Sequence, residues 1–303
     1  MLEPAGASSM PGDEMLEIKQ IKLPSGLQFT TSVAGPADGQ VVILLQGFPE
    51  SRLIWDVAIA ALARAGYRAV APDQRGYSPG ARPDPADCSN YAFDKLVADA
   101  IDLADHCGAK GKRFHLVGHD WGGSVAWGIS DRHPDRLASL TLLSRPHPAS
   151  FLRAYQDSDG VQKALSRHHT AFLNPETTRL LLENDALRLR RLFSAHRVPE
   201  VEIERQLGVI GNPQALEAAL AWYRCNTTRP QMGKTRVPTL YIWGDADGTI
   251  GPKAAYGTRE FVDAEFRMEV LPGVGHFVMD QAPNRASELI LQQVAGHRAS
   301  QAA

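Results

Sequence analysis

Val117-Gly118-His119-Asp120-Trp121-Gly122-Gly123 is the stretch on which the fold turns. It joins a short apolar run, Phe114 to Val117, to a helical pattern, Trp121 to Arg132, with Pro134 just beyond. A glycine on either side of a central residue at such a junction allows a sharp strand-to-helix turn, because only glycine tolerates the crowding there. The turn presents Asp120 at the C-terminal edge of a sheet, where open α/β folds place their sites. The helix behind it supplies backbone N–H groups and a positive dipole end. An ionised carboxylate needs no base to act as a nucleophile; it attacks a saturated carbon and forms an alkyl ester. A serine there would point to acyl transfer instead. The plainer reading of Asp120 is a helix cap, a role Asp fills well.

Outward from this turn, strand and helix patterns alternate. Val41 to Leu45 and Arg68 to Ala71 read as strands, and Ser51 to Ala65 as a helix ending at Gly66. Phe93, Leu96, Val97, Ala100, Ile101 and Ala104 mark one face of an amphipathic helix. Leu137 to Ser144 is a further strand. Apolar runs without strict alternation, separated by helices, imply a mostly parallel sheet covered on both faces. Leu16–Leu23 and Leu27–Ala34 around Pro24-Ser25-Gly26 suggest an antiparallel hairpin at its edge. From Pro146 to about Thr235 only helical patterns occur; strands return at Thr239–Trp243 and Phe266–Leu271, with a last helix at Pro283–Val294. The expected organisation is nested: an α/β core over residues 16–145 and 236–303, interrupted by a helical cap over 146–235, with a flexible leader at 1–15.

The 303 residues carry 32 Lys+Arg against 34 Asp+Glu, a net charge of −2. That balance argues against nucleic acid or a polybasic membrane contact. A hydrophobic share of 44% is enough for a sizeable core. No apolar run approaches the roughly 18 residues that would span a bilayer, and the first fifteen residues lack the apolar centre of a signal peptide. The basic stretch Arg188 to Arg197, bracketed by Glu183, Asp185, Glu200 and Glu202, reads as a solvated helix face. Cys88, Cys107 and Cys225 show neither a disulfide framework nor a Cys-x-x-Cys metal pair, so reduced thiols and a cytoplasmic setting are expected.

The Asp120 turn resembles that of the epoxide hydrolase and haloalkane dehalogenase branch of the α/β-hydrolase superfamily. Gln46-Gly47-Phe48-Pro49-Glu50 resembles its His-Gly-Phe-Pro-Glu loop, with Gln46 departing from the usual His. Pro72-Asp73-Gln74-Arg75-Gly76 resembles its Pro-Asp-x-Arg-Gly loop, and Arg145-Pro146-His147-Pro148 the lead-in to its helical cap. The likeness spans about residues 20 to 295.

An ester on Asp120 must be hydrolysed, which needs a general base for water. Of ten histidines, His276 stands in the loop Gly273-Val274-Gly275-His276-Phe277, where the superfamily's order of nucleophile, acid and His places the base. The orienting carboxylate is implied at Asp247 by the family's Gly-x-x-Asp pattern, with Asp245 as the alternative. The backbone N–H groups of Phe48 and Trp121 are the implied oxyanion hole, and Glu50 is a candidate support for the water or for His276.

The leaving group separates the sub-branches. An epoxide yields an alkoxide, which needs a nearby donor. Leu220-Ala221-Trp222-Tyr223-Arg224 resembles the segment carrying one cap tyrosine, so Tyr223 is the first implied donor. The register of Gln162, Ser166, Phe172 and Pro175 puts His168 at the second tyrosine position, with His169 or Tyr155 as alternatives. A haloalkane dehalogenase usually has Asn where this chain has Phe48. The resemblance thus implies hydrolysis of a small apolar epoxide by water, with no metal or cofactor, in a monomer or homodimer. A dehalogenase and a non-catalytic ligand-binding relative are the alternatives.

Overall fold

A computed structural model describes residues 16–227 and 231–298; the leader expected at 1–15 lies outside the described residues. Eight strands form one sheet in the order β1-β2-β4-β3-β5-β6-β7-β8. They are β1 (Glu17–Lys22), β2 (Gln28–Ala34), β3 (Val41–Leu45), β4 (Arg68–Pro72), β5 (Phe114–His119), β6 (Leu137–Leu143), β7 (Thr239–Gly244) and β8 (Phe266–Leu271). The hairpin β1–β2 pairs antiparallel at one edge and meets β4 antiparallel; every pairing from β4 to β8 is parallel.

Burial explains the sequence pattern. All five residues of β3 are buried, and along it Val41, Ile43 and Leu45 enter one apolar cluster while Val42 and Leu44 enter another. A strand covered on both faces has no polar side to alternate with. The second cluster packs β3 against α1 (Asp56–Arg64) and, later in the chain, the closing helix at Pro283–Gly296, through Ile59, Leu62, Leu289 and Ile290. The first packs the opposite face against α2 (Phe93–Ala104) and α3 (Asp120–Arg132).

Among the described residues six helices lie between β6 and β7: α4 (Pro148–Gln156), α5 (Val161–Leu165), α6 (Arg167–Phe172), α7 (Thr177–Ala195), α8 (Glu200–Ile210) and α9 (Pro213–Cys225). α7 is two helical pieces, because Glu183 is extended and Asn184, Asp185 and Ala186 all have left-handed backbones. Arg190 pairs there with Asp185, Glu200 and Glu204, a solvated charge network. After β7 come α10 (Pro252–Gly257), α11 (Val278–Gln281) and α12 (Pro283–Gly296). Among the described residues no helix is long and apolar enough to cross a membrane.

One expectation is overturned. Cys88 and Cys225 form a disulfide with Cα atoms 5.0 Å apart. Cys88 opens a short turn ahead of α2, and Cys225 ends α9 in the helical insertion. A separation of 137 residues carries no spacing signature, so only the packing of α9 on that turn reveals the pair. Cys107 is free and buried.

The sheet order also sets the site. From β3 the chain runs outward to β4, then crosses back to β5 on the other side of β3. The loops leaving β3 and β5 diverge, which opens a crevice at their C-terminal ends. Phe48 follows β3 and Asp120 follows β5.

Candidate active site

Asp120 has φ +45°, in the left-handed region that Asp tolerates better than most residues. The flanking glycines are forced by close approach. A Cβ on Gly118 would lie 2.6 Å from the Gly122 carbonyl oxygen, and one on Gly122 would lie 2.1 Å from that of Leu45. The carboxylate faces the crevice rather than capping α3. Its Oδ1 accepts the Phe48 N–H at 3.0 Å, across the gap between β3 and β5. The Trp121 N–H belongs to the first turn of α3, where amides have no carbonyl partner within the helix.

His276 arrives on the loop between β8 and α11. Its Nδ1 lies 3.0 Å from Asp247 Oδ2 and 3.1 Å from Oδ1. Its Nε2 lies 3.7 Å from Asp120 Oδ2, an ion contact rather than a hydrogen bond. Asp247 follows β7 and is fixed by the N–H groups of Thr249 at 2.7 Å and Ile250 at 2.9 Å, both donated to Oδ1. Asp245, two residues earlier, instead accepts the Gly273 N–H at 2.6 Å at the surface.

The three groups set one another's charge. Burial alone would pull the His276 imidazolium down, but the carboxylates of Asp247 and Asp120 outweigh it and hold its pKa up to about 10. Burial alone would raise Asp120; His276, then Arg145, outweigh that and hold it well below the usual carboxylate range. A change that removed the Asp120 charge would leave His276 with only one of the two carboxylates that keep it protonated.

Further buried polar groups brace the histidine. His119 Nδ1 lies 2.7 Å from Glu50 Oε2, and its Nε2 lies 2.9 Å from the His276 carbonyl oxygen. Glu50 is fully buried rather than a surface carboxylate. Burial and the Glu50 carboxylate raise the pKa of neighbouring Asp280, so it holds a proton at neutral pH. Gln46, the departure from the family's His, is also fully buried. With its amide oriented to suit its neighbours it donates to the Pro72 carbonyl at 2.9 Å and accepts the Gln74 N–H at 3.2 Å. Its side chain ties the β3 loop to the β4 loop, so the hydrogen bonding expected of this position is carried by an amide.

The helical insertion covers the crevice. Trp222 Nε1–H donates to the Arg75 carbonyl at 2.8 Å, and Arg75 pairs with Asp99 at 2.6 Å, which anchors α9 on the core. That anchor holds the next residue, Tyr223, with its ring 5.4 Å from Phe48 and 5.1 Å from Trp121. His168 lies on α6, edge-on to His169 at 4.4 Å and 5.6 Å from Phe172, whose ring is 5.1 Å from Phe48. Burial holds the His168 pKa down at about 4, so the ring is neutral at pH 7. His169 packs 5.7 Å from Tyr223, whereas Tyr155 stacks on Phe151 and is 37% exposed.

A cavity of about 150 Å³ adjoins these groups, lined by Trp121, Ser124, Arg145, His169 and Tyr223 among others. Arg145, which the sequence marks only as the start of the lead-in to the cap, also belongs to this site. Its Nη1 lies 3.8 Å from Asp120 Oδ2. The signal that could have flagged it is a charged residue directly after an otherwise apolar strand beside β5.

Comparison with known proteins agrees with this geometry. The alpha/beta hydrolase fold family matches residues 40–283. The chain is 30% identical over 280 residues to Epoxide hydrolase 4 of Homo sapiens, covering 88% of this chain and 75% of that one. It is 29% identical over 312 residues to Epoxide hydrolase A of Mycobacterium tuberculosis, covering 90% and 95%. Among solved structures, an epoxide hydrolase from metagenomes of hot environments superimposes with a TM-score of 0.81 at 30% identity, covering 93% of this chain and 100% of that one. Together with the sheet order and the residues gathered at its C-terminal edge, these matches identify the chain as a hydrolase of the alpha/beta hydrolase fold family, among its epoxide hydrolase-like members.

Proposed function

We propose that this enzyme converts a small, largely apolar epoxide to a vicinal diol through an ester on Asp120. Oδ2 of Asp120 attacks an oxirane carbon, and the carbon–oxygen bond breaks toward the oxygen. That oxygen takes a proton from Tyr223, with neutral His168 as the second donor. Once the ester has formed, His276 passes the proton it held to the Tyr223 phenolate; now neutral and oriented by Asp247, it deprotonates a water that adds to the ester carbonyl, while the Phe48 and Trp121 N–H groups hold the oxyanion. The acyl bond breaks, the departing alkoxide takes the proton left on the Asp120 carboxyl, and the diol leaves.

The observation that carries this reading is the division of labour on one carboxylate. Oδ1 is held by the Phe48 N–H at 3.0 Å, while Oδ2 stands 3.7 Å from His276 Nε2. Phe93, Trp121, Leu173 and Met232 give the adjoining cavity an apolar wall suited to the substrate's hydrocarbon part. The helices between β6 and β7 act as the cap expected over 146–235, and the α/β core is made of 16–145 and the chain from 236 to 298; residues 228–230 and 299–303 lie outside the described residues. The cytoplasmic setting expected from reduced thiols loses that support, because Cys88 and Cys225 are joined.

The test is His276→Gln, which stops the second half-reaction, followed by intact-mass measurement after incubation with candidate substrates. An epoxide adds its whole mass; a haloalkane adds its mass less hydrogen halide. No adduct from a broad epoxide panel, with the fold intact by circular dichroism, refutes the proposal.

A further inference from the structure

Arg145 is a charged side chain with few polar partners among the described residues. It is 7% exposed, yet its guanidinium donates no hydrogen bond to any protein group among the described residues. Among the described residues its one ion contact is Asp120 Oδ2 at 3.8 Å, beyond hydrogen-bond length. A buried cation normally fills its five donors, and an unfilled one is held at a cost. Packing keeps it in place: its Cζ lies 5.6 Å from the Trp121 ring centre and 5.9 Å from that of Phe151. A second unfilled group stands beside it. Ser124 Oγ is buried, lacks a partner among the described residues, and lines the same cavity.

From this we infer that the substrate carries a carboxylate bonded directly to an oxirane carbon, as in a 2,3-epoxy acid, and that Arg145 with Ser124 binds it. The inference rests on the epoxide reading and changes its substrate from a largely apolar epoxide to an anionic one. Position sets the length. The guanidinium and the attacked carbon both neighbour Asp120 Oδ2, so the carboxylate lies within one or two bonds of the oxirane, not at the end of a long chain. Volume sets the size. A cavity of about 150 Å³ holds a molecule of roughly the bulk of benzene.

Charge gives the arrangement its logic. Two anions, Asp120 and the substrate, must approach each other, and Arg145 stands between them as the shared counter-ion. When Oδ2 forms its bond to carbon, the Asp120 charge is consumed. The opened oxygen is protonated by Tyr223, and the carboxylate of the bound ester becomes the remaining counter-ion of Arg145. A planar guanidinium accepts a carboxylate through two parallel N–H donors. The apolar wall at Trp121 takes the substituent on the far side of the ring.

The experiment compares 2,3-epoxybutyrate with 2,3-epoxybutyramide, an equally sized neutral epoxide, at pH 7. The expected result is a kcat/KM about 10- to 100-fold higher for the acid, the range for hydrogen bonds to a charged group. The preference should vanish in Arg145→Gln and partly return in Arg145→Lys. The acid/amide ratio is the readout, so a loss of rate common to both substrates does not affect it. In the wild type, 2,3-dihydroxybutyrate should inhibit competitively and its amide should not. A wild-type ratio near one, or a preference that survives Arg145→Gln, overturns the inference. If the amide and 1,2-epoxybutane form adducts on the His276→Gln protein while the acid does not, this inference fails and the epoxide reading stands. If none of the three forms an adduct, both fail.

Discussion

Replacing Cys88 and Cys225 together by serine removes the disulfide that cross-links the helical insertion to the core. Its magnitude follows from the length of chain it closes. For a separation of 137 residues, the loss of loop-closure entropy from the unfolded chain amounts to about 5 kcal/mol, and native disulfides typically contribute about 2–5 kcal/mol. With an unfolding entropy of about 2.1 cal/mol/K per residue over 303 residues, that range lowers Tm by about 3–8 °C. Scanning calorimetry at a fixed rate, with and without a phosphine reductant, reads it. The wild type should shift downward on reduction, and the double variant should match the reduced wild type and ignore the reductant. Titrating thiols in denaturant without reductant should find Cys107 alone in the wild type. An unchanged Tm in the double variant, or three titrating thiols in the wild type, would refute the reasoning.

Tyr223→Phe should slow ester formation about 100-fold or more while changing ester hydrolysis far less, since donors to a developing alkoxide act in the first half-reaction; stopped-flow tryptophan fluorescence separates the two steps, and equal slowing refutes the role. Asp247→Asn should reduce turnover about 10³- to 10⁴-fold by releasing His276 Nδ1, whereas Asp245→Asn, which loses only its surface bond to Gly273, should stay within about threefold by the same measure. Since both Asp247 and Asp120 raise His276, Asp120→Asn should lower the His276 pKa from about 10, visible in an NMR titration of the imidazole; an unchanged titration would show that Asp120 does not set its charge. The same raised pKa contributes stability that is fully present below about pH 6.5 and lost as pH rises through about 10, so Tm should fall over that window in the wild type and less in His276→Gln.

The parts of the molecule legible in the sequence are those decided locally. The Gly118–Gly122 turn, the all-apolar β3 and the edge hairpin each follow from a few neighbouring residues. Asp120, Asp247 and His276 were open to placement on one edge because each follows a strand in a parallel sheet. What could not be read depends on residues far apart. Arg145 meets Asp120 because β5 and β6 are neighbours; a charge after an apolar strand hints at the sheet edge, but that pairing is not written in Ser144-Arg145-Pro146. Glu50 and Asp280 are carboxyls in the interior, against the usual rule for charged residues. The break in α7 falls on Asn184-Asp185-Ala186, which has no glycine or proline to mark it.

That break has a consequence for how the protein ages. Asn184 and Asp185 are exposed, non-helical and polar, the kind of site a protease cuts first. A cut there produces one fragment bearing Cys88 and another bearing Cys225. The disulfide keeps the two together, with Asp120 on the first piece and Asp247 and His276 on the second. A clipped molecule therefore runs as intact on a non-reducing gel and falls into two bands once reduced. Its working residues stay side by side on two separate polypeptides.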